Sequence, residues 1–227
     1  MTGTLVNTGT VLLGSLIGLT VGKRMPARVK DILMQSLGLV TFFFGIRMCL
    51  VDGKSANALM AAGCVILGGL TGELLCIEQH MERLAGRLKR SLKSSSPRFV
   101  EGFVTASVLY LTGPMAILGC LTDGLSGDAS TLYIKSLLDG VASIALASTL
   151  GVGVIFSALS VLLVQGGITL AASWLKFAQN PVILASIAAT GGVLIMGIGL
   201  ILLDIKRIRT GNLLPALAYA VVFPLLF

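Results

Sequence analysis

The sequence predicts an all-α protein, a polytopic bundle of about seven to eight transmembrane helices forming a single membrane domain over residues 1–227. Three observations predict it. The chain is 55% hydrophobic and only 12% charged, against about 25% charged in soluble domains. Its mean hydropathy is +0.96. Apolar stretches of about 20 residues recur from end to end, each long enough to cross a hydrocarbon core of about 30 Å.

The first span runs from Leu5 to Val21. No basic segment precedes it, and Lys23 and Arg24 follow it, so it reads as a retained helix rather than a cleaved leader. Gly14, Gly18 and Gly22 recur at intervals of four, a small-residue ridge suited to close helix packing. The second span covers Ile32–Leu50 and the third Ala56–Cys76, completing a first three-helix part over residues 1–77. Residues 78–98 form the most polar segment and read as a basic cytoplasmic linker, an interfacial helix ending in Ser94-Ser95-Ser96-Pro97. Its Arg83, Arg87, Lys89, Arg90 and Lys93 are expected to contact anionic lipid.

The remaining helices occupy residues 99–227. A fourth span, Phe99–Leu121, contains Gly113-Pro114, where the missing backbone donor predicts a kink or break. Leu132–Leu175 is too long for one crossing and divides near Gly151-Val152-Gly153. A seventh span covers Pro181–Leu203, and a short eighth runs from Leu213 to Phe227.

Positive charge orients these spans. Lys23, Arg24, Arg28 and Lys30 follow the first span, the linker carries the second basic group, and Lys206, Arg207 and Arg209 precede the last span. Eight crossings with the N-terminus outside place all three groups in the cytoplasm, leaving Arg47, Lys54, Lys135 and Lys176 toward the outer side. Seven helices, or a re-entrant segment, is the competing count. The hairpin Met34–Thr71 also aligns with Thr190–Leu226: Gly38 and Gly45 fall on Gly192 and Gly199, then Asn57 on Asn212 and Leu59 on Leu214. Opposite orientations would make this an inverted repeat of the kind used by secondary transporters. The competing explanation is the shared Gly/Leu bias of membrane spans.

The polar centre stands out against this background. Asp123, Asp128, Lys135 and Asp139 fall within 17 residues of otherwise apolar or small sequence. Ionisable groups at bilayer depth usually face a protein interior or a water-filled path. Asp123 and Asp128 flank the turn "DGLSGD", which lacks the spacing of a calcium loop. Lys135 and Asp139 lie four residues apart on one helix face and are suited to an ion pair. In a transport pathway Asp139 is the protonatable or cation-binding carboxylate and Lys135 its internal counter-ion; the plainer alternative is a structural pair. Asn7 and Gln165 are neutral polar groups suited to hydrogen bonding across helices or to lining the same pathway. Glu73 and Glu101, near the cytoplasmic ends of their spans, are either interfacial carboxylates or the lining of an inner vestibule.

Other function classes lack a signal. The net charge of +7 resides in connections beside apolar spans, so it speaks for lipid and topology, not for nucleic acid. Cys49, Cys64, Cys76 and Cys120 form no C-x-x-C pair, and the lone His80 completes no zinc pattern, so neither metal nor cofactor is expected. There is no nucleophile elbow, no H-E-x-x-H and no phosphate-binding glycine loop, and the chain is read as non-enzymatic.

The block that opens "YLTGPMAILGCLTDGLSGDASTLYIKSLLDG" and runs to Ala172 resembles the centre of the YqgA/YdfK family, and "GTLVNTGTVLLGSLIGLTVGKRMP" is similar to that family's start. The resemblance covers essentially the whole chain. It implies a multi-pass protein of the bacterial inner membrane, of transport type, and supplies neither a substrate nor an active site. Residues and resemblance together lead to a secondary transporter or permease for an unidentified small polar or cationic solute, coupled to protons or sodium. The alternatives are a non-transporting membrane interaction or scaffold protein, resting on the glycine ridge and the basic linker, and an ion channel. Expected partners are membrane lipid, a small solute and H+ or Na+, with homo-oligomerisation left open.

Overall fold

The computed structural model describes residues 1–50, 55–91 and 93–226, without the side chains of residues 55–57. The expectations placed on Lys54, on the Asn57 side chain and on Phe227 lie outside the described residues. Within them the fold is all helical: α1 Thr2–Arg24, α2 Ala27–Cys49, α3 Ser55–Leu74, α4 Ile77–Ser91, α5 Phe99–Leu111, α6 Pro114–Ser126, α7 Ser130–Leu150, α8 Ser157–Leu170, α9 Pro181–Leu202 and α10 Pro215–Leu226. A short 3-10 turn, Val152–Phe156, leads into α8.

Local chemistry sets the breaks. Pro26 holds Met25 extended and precedes α2, so the helix breaks between α1 and α2 and the two pack on different partners. Gly113 is extended and Pro114 is the first residue of α6, where a missing N–H matters least; the chain bends by 62° there. Cys76 takes a left-handed conformation between α3 and α4, which meet at 54°. Gly127, at φ +73°, closes α6 and turns the chain into α7.

Contacts between helices fix their directions. Along α1, Gly3 meets Leu132, Gly14 meets Gly140 and Gly22 meets Ser148, so α1 and α7 run parallel. Thr4 meets Thr169 and Asn7 meets Gln165, so α8 runs against α1. In the other half, Gly38 packs near Gly199 and Gly45 near Gly192, making α2 and α9 antiparallel; Gly68 against Ala216 and Gly72 against Asn212 do the same for α3 and α10. The α5–α6 pair traverses the bundle. Gly102 lies on Leu150 and Val154 at one end of α7, while Gly119 lies on Leu132 and Gly124 on Thr169 at the other. The pair therefore reaches from one end of α7 to the other.

Among the described residues, five helical segments are long and apolar enough to cross a membrane, up to seven when each bent pair is counted as one span. α10 is shorter than these and contains Pro224. α9 is the most enclosed, 72% buried within the chain over its span, against 22% for α2. Phe99, Phe103, Tyr110, Leu146 and Ile198 fill one core, and Leu121, Ile183, Ile187 and Leu194 a second. Meanwhile Leu13, Leu39, Phe43, Leu137 and Leu163 stay exposed. Apolar surface on this scale is a lipid-facing surface.

α4 is amphipathic and docked. Met81, Ala85 and Leu88 face the first core, while Arg83, Arg87, Arg90 and Lys93 are exposed and Lys89 is half-buried. Its start is pinned by the buried Glu78, whose N–H donates to Asn212 Oδ1 at 2.6 Å and whose Oε2 accepts the Gly211 N–H at 2.9 Å. Burial raises the Glu78 carboxyl above the usual range, more than the Gly211 hydrogen bond lowers it.

Two outcomes test this packing. A Cβ at Gly14 would land on the Gly140 carbonyl oxygen, whereas one at Gly9, on the same helix, would touch nothing. Gly14→Ala should therefore destabilise by about 1–3 kcal/mol and Gly9→Ala should stabilise by about 0.5–1 kcal/mol, both read from thermal unfolding in detergent. Glu78 gives a pH signature. Its raised folded value stabilises the fold below the ordinary carboxylate range, and that contribution disappears as pH rises through the raised value. Glu78→Gln should raise the melting temperature at pH 7.5 by roughly 2–4 °C and leave it unchanged well below the carboxylate range; equal gains at both pH values would refute the assignment.

Candidate functional site

The site is built by the α1–α7 contact. Because Gly14, Gly18 and Gly22 carry no side chain, α1 rests directly on the backbone of Gly140, Ile144 and Ser148. That approach, continued about two turns toward the other end, brings Asn7 of α1 beside Asp139 of α7. α8, running against α1, adds Gln165 to the same layer. The ridge is consumed inside the chain, with Gly14, Gly18 and Gly22 all buried.

At the centre, Lys135 and Asp139 form an ion pair through Asp139 Oδ2. Asn7 Nδ2 donates to the same oxygen at 2.9 Å and also to Gln165 Oε1 at 3.1 Å. Lys135 is 5% exposed and Asp139 8%, so both charges are withdrawn from the surface. The Lys135 ammonium also lies 5.9 Å from the centre of the Tyr110 ring, a cation–π distance. Asp139 stands about 14 Å along α7 from its first residue, near the middle of a hydrocarbon core. Asn7 Oδ1 and Gln165 Nε2 are fully buried with no protein partner among the described residues. Native interiors rarely leave such atoms unmatched. The cluster thus joins a carboxylate, an ammonium and two spare amide atoms, a set able to exchange a proton or hold a small polar species.

A hydroxyl layer flanks it. Thr4 and Thr169 meet at 3.2 Å, and Tyr110 Oη and Ser143 Oγ at 2.7 Å. Thr4, Thr169, Tyr110 and Ser143 were not singled out from the sequence, although helical spacing marks them: Thr4 precedes Asn7 by three residues, Ser143 follows Asp139 by four, and Thr169 follows Gln165 by four.

The other carboxylates are elsewhere. Asp123 is buried one layer away, accepting from the Met1 amine at 2.9 Å and the Gly3 N–H at 3.1 Å. Asp128 is exposed between α6 and α7 and accepts the Ser130 N–H at 2.9 Å, a hydrogen bond that holds its carboxyl below the usual range. Glu73 pairs with Arg209 and accepts from Asn212 at 2.7 Å. Glu101 is bidentate to Arg98, at 2.8 and 2.9 Å. These last two fasten the basic end of the bundle, and neither touches the Asp139 cluster. Among the described residues, no three His, Cys, Asp or Glu side chains converge closely enough to hold a metal ion.

Comparison with known proteins agrees with this architecture. The chain is 35% identical over 220 residues to the uncharacterized membrane protein YdfK of Bacillus subtilis (strain 168), covering 96% of this chain and 93% of that one. It is 28% identical over 223 residues to the uncharacterized protein YqgA of Escherichia coli (strain K12), covering 96% and 94%. No solved structure matches. A family model described as a protein of unknown function, DUF554, matches residues 2–225. With nearly every residue inside that match and its long apolar helices, the chain belongs to the DUF554 family of membrane-embedded, multi-pass proteins.

Proposed function

We propose that the chain is a small secondary transporter or permease of the bacterial inner membrane, moving a small polar or cationic solute in exchange for or together with H+ or Na+. One observation carries the reading: a buried Lys135–Asp139 pair, bridged by Asn7 to Gln165, where α1, α7 and α8 meet at mid-helix. Charges at that depth are expensive and mark pathways. In the empty state Lys135 neutralises Asp139. A proton or sodium ion on Asp139 releases the ammonium, and the spare Asn7 Oδ1 and Gln165 Nε2 are placed to take up polar atoms of the solute. No chemical conversion enters this cycle, and the reading is non-enzymatic.

Two further features support a carrier. α2 runs antiparallel to α9 and α3 to α10, and the glycines of the first pair interlock reciprocally: Gly38 lies near Gly199 and Gly45 near Gly192, so each glycine packs on the counterpart of the other. That is the contact an inverted repeat makes across its own two-fold axis. Counting α3, the broken α5–α6 crossing and the short α10 as spans gives eight, with the N-terminus outside and the three basic groups in the cytoplasm. Closed burial of the pair favours alternating access over an open channel. A scaffold resting on the Gly14–Gly22 ridge is disfavoured because α7 already fills it.

Asp139→Asn should insert and fold but lose ion-coupled flux, measured as solute accumulation in a deletion strain complemented by either form and as dye-reported H+ or Na+ movement in proteoliposomes. Lys135→Met should destabilise by about 3–5 kcal/mol, since it strands a buried carboxylate, and the double change should recover expression but not flux. Normal flux with Asp139→Asn, at unchanged pH dependence, would reduce the pair to a structural one. A reporter fused at Phe227 should read outside the cytoplasm; a cytoplasmic signal would overturn eight crossings.

A further inference from the structure

We infer that the basic end of the bundle holds a specific site for the phosphate of an anionic phospholipid, separate from the Asp139 cluster and independent of the transport reading. A pocket of about 210 Å³ opens between the end of α1, the first turn of α2, the segment before α5 and the end of α7. Lys23, Lys30, Arg98 and Ser96 line it, with Ser148 and Thr149 behind them.

The cations are not equivalent. Arg98 is bidentate to Glu101, so its charge is already met. Lys23 and Lys30 make no ion pair and no side-chain hydrogen bond among the described residues, and Lys30 is half-buried. Two unmet ammonium groups on one small pocket call for an anion. The hydroxyls sort similarly. Ser148 and Thr149 donate back to the Ala145 carbonyl, leaving Ser96, whose Oγ lies over Gly151, as the free hydroxyl donor. The end of α7 presents partial negative charge to the same space, which opposes an anion. A single lysine is therefore insufficient, and the site requires both.

The neighbouring surface selects a lipid over a free ion. Lys23 is shared with a second hollow, of about 540 Å³, lined by Val21, Arg24, Met25 and Pro26. From there the exposed face of α1 continues through Ile17, Leu16 and Leu13, an apolar track leading away from the lysines into the membrane-facing surface. A headgroup phosphate between Lys23 and Lys30 would place its acyl chain on this track. Inorganic phosphate would gain nothing from it. Basic pockets between membrane helices are a recurrent way of holding anionic headgroups.

The test is native mass spectrometry of the delipidated full chain titrated with phosphatidylglycerol, with phosphatidylcholine, and with phosphatidylglycerol in competition with millimolar inorganic phosphate. The wild type should retain one phosphatidylglycerol in preference to phosphatidylcholine and should keep it against inorganic phosphate. Lys23→Gln together with Lys30→Gln should weaken that binding roughly 30-fold, each single change should remove most of it, and Arg47→Gln with Lys176→Gln at the opposite end of the bundle should leave it intact. Equal binding of the two lipids by the wild type, displacement by inorganic phosphate, or undiminished binding in the lysine double variant would each overturn the assignment. The wild-type arms decide the matter even where a variant fails to fold.

Discussion

Everything in this bundle is referred to the backbone contact between α1 and α7. In a membrane, apolar side chains gain little by exchanging lipid for protein, so helices associate through close packing and polar contacts. Gly14, Gly18 and Gly22 allow that close packing along one edge of α1. Once that edge is seated, the register of α1 against α7 is fixed to within a residue, and the polar side chains farther along have no freedom to choose partners. Asn7 must meet Asp139, and Thr4 must meet Thr169 on the antiparallel α8. The polar layer is a consequence of the glycine ridge, and it in turn penalises any slip, because a shift of one residue would strand a buried charge.

The buried pair follows the same logic energetically. Withdrawing a lysine and an aspartate from water is unfavourable, and Coulomb attraction alone seldom compensates. Here the Asn7 amide adds a second donor to the carboxylate and the Tyr110 ring a face for the ammonium. These contacts hold the pair in place but leave two amide atoms unmatched. A purely structural network gains from closing every such atom. The Asp139 layer leaves two such atoms open, in contrast to the ion pairs at the basic end.

How much of this was legible follows from what a sequence encodes locally. The all-helical membrane class, the break at Gly113-Pro114 and the existence of the basic helix after α3 follow from hydropathy, proline geometry and charge, which are local properties, whereas the docking of that helix on the core through Met81, Ala85 and Leu88 does not. The Lys135–Asp139 pair is also local, being one turn of a single helix. Which other helices face it is not local. Asn7 and Gln165 were visible as polar residues in apolar spans, but that both meet Asp139 depends on the α1–α7 and α1–α8 registers. Glu73 and Glu101 show the converse: their types and depths fitted an inner vestibule, yet the folded chain turns them to Arg209 and Arg98. The alignment of Gly38/Gly45 with Gly192/Gly199 says nothing of contact, so the packing of α2 on α9 through those glycines, like the placement of α5–α6 against α7 and α8, depends on tertiary register.

The distribution of the remaining charges completes the physical picture. At the basic end Glu73, Glu82 and Glu101 each hold an arginine, and Glu78 uses its carboxylate on backbone instead. The Glu73, Glu78 and Glu82 links tie α3 and α4 to the segment before α10, and the Glu101 link closes on Arg98 at the start of α5, while Asp31 and Asp204 stay exposed. The cations outnumber these acids, and those without an ion pair among the described residues include Lys23 and Lys30 at the α1–α2 turn and Arg83 and Arg87 on the outer face of α4. Such a surplus is tolerated where an anionic leaflet supplies the counter-charge. The opposite end has no comparable excess: there Asp123 is engaged by backbone and amine, and Asp128 by a turn. What separates the two ends is therefore less the number of basic residues than how many of them the fold leaves without an acid, Lys23 and Lys30 at the α1–α2 pocket and Arg83 and Arg87 on the exposed side of α4 among them.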